Sequence, residues 1–141
     1  MDQAVLVREQ IDGGEKLISH LLTGGLPVIA AFWAKTDGDG QWYLYVVTSE
    51  VDVLGTLGAY RRLGELEKTM NGVKMHPLER IDRFGIKLIS PKHPLALAVL
   101  DLYQRFPEQA ETFLSFWLGS VAIERAYIYP STLFTPQPQA S

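Results

Sequence analysis

A chain of 141 residues with 47% hydrophobic side chains has the size of one ordinary domain and can bury a core without covalent staples. The absence of cysteine excludes disulfides, thiolate catalysis and cysteine-ligated zinc, and a net charge of −3 argues against sequence-independent nucleic-acid binding by the chain as a whole. No apolar run is long enough to span a bilayer and no basic-then-apolar leader opens the chain, so a cytoplasmic protein with no membrane contact is expected.

The first predicted element is a helix over about residues 3–23, with Val7, Ile11, Ile18 and Leu22 at helical spacing. Gly13-Gly14 lies inside it, and two adjacent glycines cost about 1 kcal/mol each in a helix interior, so a kink, a break or a close approach to another backbone is expected there. Gly24-Gly25 stops the helix and Pro27 keeps it out of the next strand.

Residues 26–49 carry the clearest local signal: two runs rich in β-branched and aromatic residues flank Asp37-Gly38-Asp39-Gly40, the pattern of a β-hairpin. Pairing Thr36 with Gln41 sets Trp33 opposite Leu44 and Phe32 opposite Tyr45. One face then carries Ile29, Ala31, Trp33, Trp42, Leu44 and Val46, and the other Ala30, Phe32, Ala34, Tyr43, Tyr45 and Val47. Both faces are apolar, so these strands are expected at the centre of a sheet covered on both sides, or with one face lining a groove or meeting another chain.

Asp52 is placed to cap a second helix reaching about Met70, with Leu57, Tyr60, Leu63, Leu66 and Met70 on its buried stripe; Gly55, Gly58 and Gly64 would let it lie close to a sheet. A third strand is predicted from Phe84 to Ser90. A helix then runs from Pro94 to Phe106, its stripe formed by Leu95, Val99, Leu102 and Phe106. Residues 108–118 read either as a helix start or as a strand. Gly119-Ser120 and the alternation of Val121, Ile123, Tyr127 and Tyr129 favour a second hairpin. The sum is one α+β domain over 1–131 in the order α-β-β-α-β-α-β-β, with a mainly antiparallel sheet of about five strands carrying helices, and a flexible Pro/Gln-containing tail over 132–141.

Residues that could carry chemistry are sparse. His20, His76 and His93 have no metal-ligand spacing, Asp37 to Gly40 lacks the later ligands of a calcium loop, and no nucleotide, cofactor or serine-hydrolase motif occurs. Glu79, Asp82 and Lys87 resemble a magnesium-nuclease set only in residue type. Residues 68–93 hold six basic and two acidic side chains against five and ten in residues 1–67, a basic segment that would meet phosphate or an acidic partner, or simply face solvent. The first constellation to inspect is Trp33, Lys35, Thr48, Asp52, Tyr60 and Arg61, where Lys35 and Arg61 would anchor an anion or, as structure, Asp52 caps a helix beside snorkelling cations.

Ala31-Phe32-Trp33, Trp42-Tyr43-Leu44, Val51-Asp52, Ala59-Tyr60-Arg61 and Ala126-Tyr127-Ile128-Tyr129 together resemble a class of small uncharacterised bacterial proteins. The resemblance implies a stand-alone bacterial α+β domain and supplies no activity, cofactor or catalytic residue. Two functional expectations stand: a non-catalytic interaction or regulatory module, homodimeric and open to a protein partner, or an enzyme or binding protein for a small phosphate or carboxylate ligand.

Overall fold

The computed structural model describes residues 8–36, 41–72, 81, 85–105, 112–118 and 121–134. The elements run α1 (Arg8–Thr23), β1 (Ala30–Thr36), β2 (Trp42–Val47), α2 (Glu50–Lys68), β3 (Ile86–Ile89), α3 (Pro94–Arg105), β4 (Thr112–Leu118) and β5 (Val121–Ile128), with 3-10 turns at Thr69–Gly72 and Ser131–Leu133. They form an α+β fold around a single open sheet in the order β3-β2-β1-β5-β4. The sheet is mixed: β1–β2, β1–β5 and β4–β5 are antiparallel, but β2 and β3 run parallel. Three of the four pairings are antiparallel, as expected of a mainly antiparallel sheet of about five strands; the parallel pair is the departure, and its cause is α2. A helix between two neighbouring strands carries the chain back to its starting end, so the second strand re-enters in the same direction.

The first hairpin has the register its alternation demands, with Trp33 opposite Leu44 and Phe32 opposite Tyr45. Its two strands are interior, and helices cover both of their faces. Ala31, Trp33, Trp42, Leu44 and Val46 join α1 and α2 through Leu17, Ile18, Leu21, Ala59, Leu63 and Leu66. Ala30, Phe32, Ala34, Tyr45 and Val47 meet Leu95, Ala96, Val99 and Tyr103 of α3. The chain therefore covers both apolar faces of its first hairpin, and no second copy is needed for that purpose. Tyr45 is buried and stacks on Phe32 with ring centroids 5.0 Å apart, so this face does not line a groove there.

α1 passes through Gly13 and Gly14 unbroken. The expected close approach is real, but its partners are side chains: a Cβ on Gly14 would press into Tyr129 Oη and lie 3.2 Å from Trp33 Nε1. α1 closes on Leu26 N–H to Leu21 O (2.9 Å) and Gly25 N–H to Leu22 O (3.1 Å), with Gly25 at φ +93. This pairing of bonds around a left-handed residue terminates a helix where glycine alone fits without strain.

α2 departs from expectation at its start. It begins at Glu50, and Asp52 lies inside it rather than capping it. Gly55 breaks it, with φ 79 and ψ 165, a conformation open essentially to glycine only. Leu57, expected on the buried stripe, is exposed, because regular helical spacing sets it about 120° or more round the helix from Ala59, Leu63 and Leu66, which are buried. Residues 112–118 form strand β4. Phe106, Phe84 and the turn residues of both hairpins lie outside the described residues. Leu133 and Phe134 pack against the core, and the Phe134 and Tyr103 ring centroids lie 6.2 Å apart, so packing continues past residue 131. Residues 135–141 of the expected tail lie outside the described residues.

Candidate functional site

Of the six residues singled out in the sequence, only Thr48 and Asp52 fall at the same end of the sheet, and the other four lie apart from them. Lys35 pairs with Trp42 near the hairpin turn and stands opposite Arg125 on β5, beside an irregularity in the β1–β5 register. Thr48 lies just past the far end of β2. Six residues of extended strand separate Trp42 from Thr48, about 20 Å at the usual rise, so Lys35 and the Thr48–Asp52 end of the sheet do not share a polar cluster. Arg61 is exposed on α2.

Trp33 is buried and belongs to a hydrogen-bonded wedge. Its Nε1–H donates to Tyr129 Oη (3.0 Å), and that hydroxyl donates to the Ile11 carbonyl of α1 (2.6 Å). Tyr103 on the other side of the sheet donates to the Tyr129 main-chain carbonyl (2.6 Å). One residue at the end of β5 thus ties α1 and α3 to the sheet from opposite faces. Burial raises the phenols of Tyr103 and Tyr129 well above their ordinary range, so both remain neutral donors.

Tyr60 reaches from α2 over β3, where its hydroxyl donates to the Ile86 carbonyl (3.3 Å) and accepts the Leu88 N–H (2.9 Å). Those main-chain groups belong to the outer side of β3, since Ile89 uses its own carbonyl to take the Thr48 N–H (3.0 Å) from the β2 side. Tyr60 therefore closes a sheet edge.

The carboxyl ends of β2 and β3 form the place where connections diverge, α2 leaving toward the Trp33 face and α3 toward the Phe32 face. In open sheets such a switch point is where ligands bind. Here the polar side chains are occupied with closing the turns. Buried Thr48 accepts the Glu50 N–H through Oγ1 (3.2 Å), and Ser90 Oγ donates to Asp52 Oδ2 (3.0 Å) while accepting the Lys92 N–H (3.0 Å). His93 Nδ1 accepts the Leu95 N–H (3.0 Å), capping α3. Ser90, Asp52 and His93 have the residue types of a hydrolase relay without its connections, because the serine bonds the acid directly and the imidazole nitrogen is committed to a helix.

Beside exposed Asp52 and Lys92, this end also offers apolar side chains to solvent. Val53 is 72% exposed, Leu54 48% and Leu57 74%, grouped around the Gly55 break, with Leu97 56% exposed on the first turns of α3. Gly58 allows Leu54 to fold back, since a Cβ there would come within 2.8 Å of the Leu54 Cβ. The signal for this patch is Gly55 itself, which helical spacing alone assigns to packing against the sheet. Of the basic segment, the described part is dispersed: Lys87 Nζ sits 4.5 Å from the Tyr43 ring centroid in a cation–π contact, and Lys68 and Lys92 are exposed. Glu79, Asp82, Lys74, His76, Arg80 and Arg83 lie outside the described residues. Among the described residues no group of three acidic or histidine side chains could hold a metal ion, and no helix is long and apolar enough to cross a membrane.

No protein-family model, curated protein or solved structure matches the chain.

Proposed function

We propose that this protein is a non-catalytic cytoplasmic interaction or regulatory module that works as a homodimer and presents an apolar surface to a protein partner. The observation that carries the reading is the exposed cluster Val53, Leu54 and Leu57 on either side of the glycine-only conformation of Gly55. A chain whose helices already cover both faces of the central hairpin has no folding use there for three exposed aliphatic side chains beside a break in the helix that bears them. Grouped apolar exposure of this kind marks contact surfaces, whereas scattered single residues do not. The polar side chains at the same end support the reading, because their hydrogen bonds are spent on helix and strand termini.

Two measurements test it. Light scattering across a wide concentration range is expected to show a particle of two chains, and a one-chain mass at every concentration removes the homodimer. Thermal unfolding is expected to stay in place with nucleotides, sugar phosphates and divalent metals. A saturable upward shift with any of them would replace the interaction module with a ligand-binding protein.

A further inference from the structure

The sheet has two ends in its strand order, β3 and β4, and they are finished differently. β3 has four residues, includes Lys87, and has its outer main-chain groups at Ile86 and Leu88 satisfied by the Tyr60 hydroxyl. Shortness, a lysine and a side chain laid over the strand are the devices by which proteins prevent edge pairing. β4 has seven residues, Thr112–Leu118, and its sequence TFLSFWL contains neither a charged residue nor a proline. It pairs with β5 on one side only, and among the described strands nothing adjoins its other side.

We infer that the outer edge of β4 is the homodimer interface, pairing antiparallel with β4 of a second copy to join the two five-stranded sheets into one. The inference rests on the homodimer reading above and names its surface. Self-complementarity selects the second copy as occupant. A two-fold axis at Ser115 sets Thr112 against Leu118, Phe113 against Trp117 and Leu114 against Phe116, so all seven residues pair. With no charge in the strand, the symmetry brings no like charges together. Strand pairing alone falls short of the roughly 800 Å² per partner of a standard stable interface. α3 packs against β4, so each protomer brings a helix beside the shared edge as a second layer. The dimer is therefore expected to be concentration-dependent rather than obligate.

The test uses the full-length chain and sedimentation analysis. Ser115→Lys and Ser115→Glu each place like charges across the two-fold and are expected to raise the dimer dissociation constant by at least about tenfold. An equimolar mixture of the two is expected to recover dimer as a heterodimer. Should either variant fail to fold, amide exchange of the wild-type chain decides: β4 amides gain protection as concentration rises. A dimer whose affinity is untouched in both variants, or β4 exchange independent of concentration in a dimerising chain, overturns the edge and leaves the homodimer standing. A wild-type chain that never dimerises overturns both. In that case β4 amides protected only by an added extended peptide would assign the edge to a peptide partner instead.

Discussion

Phe32 and Trp33 are consecutive in one strand and equally hidden from water, yet the faces they enter are held in different ways. Phe32 joins a layer of alanine, valine, leucine and tyrosine under α3, where its contact with Tyr45 is a parallel stack. Trp33 enters a layer where Tyr129 links it to α1, with Gly14 lying against both rings. Burial of apolar area is non-directional and would tolerate a helix sliding along the sheet. Two directed hydrogen bonds over a glycine notch fix where α1 can stand. Both faces supply packing energy and each helix has a directed bond to Tyr129, but only the Trp33 face adds a glycine notch that sets how closely its helix can stand.

That difference has measurable consequences. Phe32→Ala removes a fully buried ring from a tightly packed layer and should cost about 3–5 kcal/mol in urea unfolding. A cost below about 2 kcal/mol would mean that α3 collapses onto the gap, so that this face adapts and is not a rigid packed layer. Gly14→Ala should cost about 1–3 kcal/mol as overpacking, despite the better helix propensity of alanine. Its sharper test is a double-mutant cycle. In a Tyr129→Phe background the obstructing hydroxyl is gone, and Gly14→Ala should cost less than half as much; additive costs would break the assignment of Gly14 to the Tyr129 notch.

The strands of the first hairpin are legible in the sequence because a two-residue period writes both faces and the register into adjacent residues. The glycine pair in α1 announces a close approach without naming its partner, since Trp33 and Tyr129 are 96 residues apart and Tyr129 and Ile11 are 118 apart. Long-range partners of that kind leave no local pattern. The exposed cluster on α2 is hidden for a different reason. Leu57 and Leu63 both follow Gly55, and six residues at 3.6 per turn set them about 120° apart, so a stripe that includes Leu57 is drawn too wide; Gly55 redirects only the first turn of α2, which bears Val53 and Leu54. Lys35 and Arg61 suggest an anion site because sequence proximity to a turn and a helix start says nothing of which end of the sheet each occupies. The parallel β2–β3 pair escapes because strand patterns do not encode direction.

The smallest expected effect separates the helices of the two faces by pH. α1 ends on main-chain bonds that do not titrate, whereas α3 begins on His93, whose Nδ1 accepts a hydrogen bond only while unprotonated. Burial lowers the His93 pKa from its ordinary 6.5. With the folded value below the unfolded one, the unfolded chain binds the proton first as pH falls. The cap's contribution is therefore complete above pH 6.5 and is lost as pH drops below it through the folded value. Because the ring is only partly buried, the loss should be no more than about 1 kcal/mol, the ordinary worth of a helix cap. His93→Asn keeps a capping acceptor without a titrating group, so its stability should lack this step while wild type shows it. If both proteins lose the same stability between pH 7 and pH 5, the step belongs to another group and the cap is pH-silent. Amide exchange at Leu95 locates the effect: in wild type it should accelerate over that range beyond its intrinsic pH dependence, and in His93→Asn it should not.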